Sequence, residues 1–215
     1  MWAIVPAKNF ACAKSRLAAV LSPEERAALF AAMLADVIAA LAAAKGLGGI
    51  LIVSNEPEVR RLAARCGVRM TADRAAAGQS AAVAEGARIL AADGVAGILA
   101  VPGDVPLATA GEIEAVLASH GGAPAVTIVP SHDGLGSNAV ACSPPGLIPF
   151  RFGVASFAPH LAEARAARVE PRILRLAGLG LDIDTPDDLR ELLARGAGGA
   201  TGAFLAASGI AAAAS

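Results

Sequence analysis

Short apolar runs alternate along the chain with longer stretches in which apolar positions recur at helical spacing. Trp2 to Ala7, Gly49 to Ser54, Val68 to Met70, Gly97 to Val101, Ala125 to Val129 and Ala139 to Cys142 predict strands, with two more over Arg172 to Leu176 and Gly180 to Ile183. Helices are predicted between them. One opens at Ser22-Pro23-Glu24-Glu25, where Ser22 can cap, Pro23 suits the first turn and Glu25 completes a capping box. Others cover Pro57 to Cys66, stopped at Gly67, then Ser80 to Ala92, Thr109 to His120, about Ser156 to Ala167, and a last one from Thr185-Pro186-Asp187-Asp188 to about Arg195. The alternation predicts one Rossmann-like α/β domain over residues 1–195 with a largely parallel sheet. After Gly196 the composition shifts to Gly, Ala and Ser, which predicts a partly disordered tail over 196–215, with partner docking as its alternative role.

Composition narrows the function. The chain of 215 residues is 55% hydrophobic and 17% charged, enough to bury a sizeable core. Aromatic content of 3% and a net charge of −1 leave neither the stacking platform nor the basic groove of a single-stranded nucleic-acid binder, so no nucleic-acid partner is expected. Cys12, Cys66 and Cys142 are odd in number, far apart and without a CxxC, against a disulfide framework or a zinc site. His120, His132 and His160 lack metal-ligand spacing and are expected on the surface or in loops. Ala27 to Ala44 is apolar enough to suggest a membrane span. It is short and carries Asp36, costly at a bilayer centre, so a buried helix and a cytoplasmic protein are expected.

Five clusters carry candidate chemistry. Lys8, Lys14, Ser15 and Arg16 follow the first strand, where open α/β sheets bind ligands, and the three cations could offset charge on a triphosphate or a leaving pyrophosphate. GxxxxGK[ST] is absent, so this is not a P-loop. Pro102-Gly103-Asp104 delivers a carboxylate to a strand end, a position suited to Mg²⁺ against substrate phosphates; a plain turn cap is the other reading. In Asp182-Ile183-Asp184, read as strand, both carboxylates face one side and could join Asp104 in a three-carboxylate metal site. Asp133-Gly134-Leu135-Gly136-Ser137-Asn138 could present backbone amides and hydroxyls to an anion, or be a simple turn; Gly153 and Ser156 open a helix where a phosphate or carboxylate could sit. Gln79-Ser80 starts a helix that could meet a base or ribose, with Ser80 otherwise a plain N-cap.

In order, VPAKNFACAKSRLAAVLSPEERAALFAAML, VPGDVPL, DGLGSNAV, RFGVASFAPH and GLDIDTPDDL resemble the 2-phospho-L-lactate guanylyltransferase family, which includes the phosphoenolpyruvate and 3-phosphoglycerate guanylyltransferases of coenzyme F-420 biosynthesis. The resemblance covers Met1 to about Arg195. It implies a GT-A-like mixed sheet flanked by helices, and transfer of GMP from GTP to the phosphate of a three-carbon phospho-acid with release of pyrophosphate. It implies Mg²⁺ on Asp104, Asp182 and Asp184, the phospho-acid at Ser137, Gly153 and Ser156, and Lys8, Lys14 and Arg16 along the GTP phosphates. Family members often carry Leu-Asn where Gln79-Ser80 stand and Thr in place of Ser137, which keeps the hydroxyl. The resemblance also leaves a homodimer open. A molybdopterin- or sugar-phosphate-type nucleotidyltransferase and a non-catalytic nucleotide-binding protein are the alternatives.

Overall fold

The computed structural model describes residues 1–7, 14–74 and 78–210; Lys8 and Cys12 lie outside the described residues. Among the described residues seven strands form one sheet: β1 (Trp2–Pro6), β2 (Ile50–Val53), β3 (Arg69–Thr71), β4 (Ile98–Ala100), β5 (Ala125–Pro130), β6 (Ser137–Ser143) and β7 (Arg172–Ile173), in the order β3-β2-β1-β4-β6-β5-β7. Strands β1 to β4 run parallel, β6 runs antiparallel to both β4 and β5, and β7 is parallel to β5. The sheet is therefore mixed and mostly parallel. After β1 the chain moves outward through β2 and β3, then returns to place β4 on the other side of β1. That reversal opens a crevice at the carboxyl ends of β1 and β4, where such sheets bind ligands.

Alternation along the strands sorts side chains to two cores. Ala3, Val5, Ile52, Leu99, Ala139 and Ala141 face a core shared with α1 (Pro23–Ala43), α2 (Pro57–Cys66), α4 (Ala110–His120), α6 (Pro186–Arg195) and α7 (Gly199–Ser208). Ile4, Leu51, Val53, Ile98, Ala100 and Val140 face the other, covered by α3 (Gln79–Ala92) and α5 (Phe157–Ala166). A strand covered on both faces has no polar side, which explains why β1, β2 and β4 read as continuous apolar runs.

The local signals for helix starts hold. Ser22 and Glu25 form a complete capping box with Pro23 in the first turn, and Thr109/Glu112 and Thr185/Asp188 form two more. Helix α1 is long and apolar enough to cross a membrane by length and composition alone, but Leu29, Met33, Leu34, Val37, Ile38 and Leu41 are buried in this core.

Three expectations need correction. Residues 180–183 form no strand, and the strand expected over Arg172 to Leu176 shrinks to Arg172–Ile173. The expected tail contains a helix, α7, that packs on α1 with Leu205 and Ile210 buried. Asp36, the acid inside apolar α1, explains it: its carboxylate accepts the N–H groups of Ala200 at 2.7 Å and Thr201 at 2.8 Å, capping α7 from another helix. Gly199 permits this approach, since it has φ +58° and a Cβ there would lie 2.2 Å from Asp36 Oδ1. Composition hides the helix because its glycines disfavour it locally and the cap comes from 164 residues away. Asp36→Ala is expected to cost about 1–2 kcal/mol, read as a lower thermal midpoint with faster amide exchange in α7.

Candidate active site

Two loops meet at the crevice. Val101, the first residue after β4, donates its N–H to the Ile4 carbonyl, and Pro102-Gly103-Asp104 follows. Gly103 lies against α1, where an added Cβ would meet Leu34 Cδ1 at 2.9 Å, so the turn carrying Asp104 has little room to shift. The Ile183 N–H donates to the Asp104 carbonyl at 3.0 Å and ties the 180–184 segment alongside. Leu181 and Ile183 are buried in the core while Asp182 and Asp184 line the cleft. The alternation expected of a strand is therefore present, anchored by the two apolar side chains and by hydrogen bonds that include the one to Asp104 and one from the His132 N–H to the Gly180 carbonyl at 2.7 Å, without the strand.

Lys14 joins these elements. Its ammonium donates to Asp104 Oδ2 and, at 2.6 Å, to Asp184 Oδ1, with its side chain 5% exposed. Burial pulls the Lys14 pKa down, but the charges and hydrogen bonds of the two carboxylates outweigh it and leave it above the ordinary lysine value. Asp182 lies outside this pair and accepts from Asn138 Nδ2 at 3.0 Å. Burial, reinforced by the nearby charges of Asp104 and Asp184, raises its pKa above the usual carboxylate range. Asp104 Oδ1 is buried with no hydrogen-bond partner among the described residues. No three His, Cys, Asp or Glu side chains among the described residues form a ready metal-ligand group; an ammonium occupies the space between two of the candidate carboxylates.

The cleft has two adjoining parts. A smaller one of about 200 Å³ is lined by Pro6, Lys14, Phe30 and Gly103, a larger one of about 620 Å³ by residues of the 131–138 and 152–156 loops, and both share Gln79, Pro102, Asp104 and Asp184. Arg16 and Asp182 line the larger part. Of the expected site residues, Lys14, Arg16, Gln79, Asp104, Ser137, Gly153, Ser156, Asp182 and Asp184 thus border one cleft. Ser80 serves the scaffold instead. It is the second residue of α3, not its cap, and its hydroxyl donates to the Phe152 carbonyl at 3.2 Å, tying α3 to the 152–156 loop.

The 133–138 loop is a self-satisfied turn and not a cradle of free amides. The N–H of Gly134 donates to the Ser131 carbonyl, that of Leu135 to Asp133 Oδ1, and that of Gly136 to Ser131 Oγ. The Ser137 N–H donates to Ser156 Oγ at 2.9 Å, and the Phe157 N–H to the Leu135 carbonyl at 2.9 Å. The two loops are thereby locked together.

The histidine expectation also needs correction. His120 is buried between Thr127 Oγ1 and Ser143 Oγ, and burial, with the Arg172 charge, lowers its pKa. His160 is fully buried and bonded to Ser137 Oγ; only His132 is exposed among the three, 3.6 Å from Asp188. Spacing gives no hint of His160, because its partners come from separate loops. Its pKa is lowered to about 4, chiefly by burial and also by the Arg151 charge, against opposing effects of the Ser156 backbone hydrogen bond and the Glu163 charge.

The profile of the family described as "Guanylyl transferase CofC like" matches residues 1–215. A phosphoenolpyruvate guanylyltransferase from Rubrobacter xylanophilus is 39% identical over 199 residues, covering 91% of this chain and 95% of that protein. A 3-phospho-D-glycerate guanylyltransferase from Phenylobacterium zucineum is 37% identical over 201 residues, covering 90% and 89%. A solved nucleotidyl transferase from Methanothermobacter thermautotrophicus superposes with a TM-score of 0.64 over 90% of this chain and 95% of that one, at 17% identity, in agreement with the GT-A-like sheet.

His160 sets a pH dependence of stability. Its neutral form is favoured in the fold, so its contribution is complete above pH 6.5 and is lost as pH falls towards 4. Asp182, with a raised pKa, acts in the opposite direction. Denaturant titrations from pH 7 to 4 should show wild-type stability falling relative to His160→Asn, with a difference in slope of up to about 1.4 kcal/mol per pH unit.

Proposed function

The chain belongs to the CofC-like guanylyl transferase family, and from that premise we propose that it moves GMP from GTP to the phosphate of a three-carbon phospho-acid in coenzyme F-420 biosynthesis. One observation carries this reading. The Lys14–Asp104–Asp184 cluster lies at the junction of the two parts of the cleft, one of which holds the paired loops of Ser137, Gly153 and Ser156. Phosphoenolpyruvate is the first acceptor to test, because a relative at 39% identity carries that name.

In the proposed reaction an acceptor phosphate oxygen attacks the α-phosphorus of GTP. The bond from that phosphorus to the bridging oxygen breaks, and its electron pair leaves with pyrophosphate. A phosphate monoester is already mostly dianionic at neutral pH, with a second pKa of about 6, so no protein group has to remove a proton. Ser137 and Ser156 orient the acceptor, Lys14 and Arg16 place positive charge near the phosphates, and Gln79, at the junction, meets the nucleotide.

A magnesium ion is part of this proposal: Asp104 and Asp184 converge on the Lys14 ammonium, Asp182 is near enough to feel their charges, and the buried Asp104 Oδ1 has no partner among the described residues, although the three carboxylates form no ready ligand group while the ammonium stands between two of them. Asp104, Asp182 and Asp184 would hold it, and when bound it would neutralise charge developing on the α-phosphate and the leaving group. We place the reaction in the cytoplasm, with α1 serving as a core helix.

Pyrophosphate release tests the reading. Release should require GTP, with ATP and CTP inactive, and one of phosphoenolpyruvate, 3-phosphoglycerate or 2-phospho-L-lactate. It should stop on chelation, return with Mg²⁺, and fall at least about a hundredfold in Asp104→Asn with the fold retained. Release independent of any phospho-acid, or an active Asp104→Asn, would overturn it.

A further inference from the structure

His160 has no place in the chemistry above, yet it lies behind the acceptor loops with both ring nitrogens engaged. It is fully buried, with its ring edge-on to Phe152 at a centroid distance of 4.9 Å. Nε2 lies 2.9 Å from the Arg151 backbone nitrogen. A backbone amide can only donate, so Nε2 must present a lone pair. The ring, kept neutral by burial, then carries its single proton on Nδ1, 3.0 Å from Ser137 Oγ. Hydrogen-bond logic thus fixes the tautomer.

The same logic passes to Ser137. Its oxygen accepts from His160, so its own proton cannot point back at the ring, and its backbone N–H is already given to Ser156 Oγ. Ser137 lines the cleft with only 6% of its surface exposed, which leaves its hydroxyl few directions in which to donate. We propose that His160 is a positioning residue for the acceptor: by donating from Nδ1 to Ser137 Oγ it turns the Ser137 hydroxyl proton into the cleft, where it meets an anionic oxygen of the phospho-acid. A phosphate or carboxylate oxygen can only accept, so a hydroxyl held as donor suits an anion and disfavours a neutral donor in its place. The inference rests on the reading of this cleft as the phospho-acid site.

Two isosteric substitutions separate positioning from packing. In His160→Asn the amide nitrogen stands where Nδ1 stands, and the bond to Ser137 can be kept. In His160→Gln the amide oxygen stands where Nε2 stands, so the Arg151 contact can be kept and the donor to Ser137 is lost. Steady-state pyrophosphate release at pH 7.5 should give a phospho-acid KM raised about tenfold in His160→Gln and within about threefold of wild type in His160→Asn, the loss matching one hydrogen bond to a charged group. KM for GTP should stay within about twofold in both. Equal effects of the two substitutions, or an effect on GTP instead, would overturn the positioning role.

Ser137→Ala is the control for the underlying reading. If it leaves the phospho-acid KM unchanged, the acceptor site is elsewhere. If it raises that KM while His160→Gln does not, only the His160 inference fails. Imidazole ¹⁵N–¹H correlation spectra of the wild-type protein need no variant to fold: a His160 protonated on Nδ1 is expected, and one protonated on Nε2 would overturn the proposal.

Discussion

An ammonium held between two carboxylates sets the geometry on which the rest of the cleft depends. Asp104 and Asp184 reach the same spot from segments 80 residues apart, and a third acid, Asp182, stands nearby. Carboxylates crowded in a half-buried place repel one another, and burial adds a desolvation penalty for each. Lys14 offsets both, because its positive charge is itself almost out of water and gains from two partners at once. The ion triad joins the segment after β1 to the loop after β4 and to the segment before α6, and so defines where the two parts of the cleft meet.

The part of the cleft around Ser137 and Ser156 is built on a different principle. There the polar groups consume one another: four consecutive amides of the 134–137 turn are bonded within the two loops, one of them to the Asp133 carboxylate, and His160 and Ser156 complete the set. Such a network has little freedom to rearrange around a ligand. In the proposed reaction, selection among small anions then falls to hydroxyl direction and pocket shape, and the phosphates to the side of the cleft with Lys14 and Arg16.

Most of the fold is legible in the sequence because its signals are local. Capping boxes at Ser22, Thr109 and Thr185 and apolar runs for the central strands need no knowledge of distant contacts. Candidate site residues are legible where they follow strands: Lys14 after β1 and Asp104 after β4. What stays hidden is long-range. The 180–183 segment reads as a strand, yet it is held by the burial of Leu181 and Ile183 and by hydrogen bonds to Asp104 and His132. The roles of His160 and Asn138 depend on partners 23 and 44 residues away, which no spacing rule registers. The 133–138 loop leaves a simple turn and an anion cradle both open in the sequence, because glycine content reports what a backbone can do, not which partners it has.

The contact of α7 with α1 has a consequence for the order of events in biosynthesis. Helix α1 precedes six of the seven strands, but part of its covering surface, with Leu205 and Ile210, is made after all of them. The 164 residues between Asp36 and the amide it caps take roughly 8–30 s to synthesise at ordinary elongation rates. During that interval an apolar helix stands with one flank uncovered and its acid without the helix it will cap. The α7 segment therefore covers this flank of α1 only after every strand of the sheet has been made, and a chain cut short before it carries the described cleft residues with that flank still open to other hydrophobic surfaces.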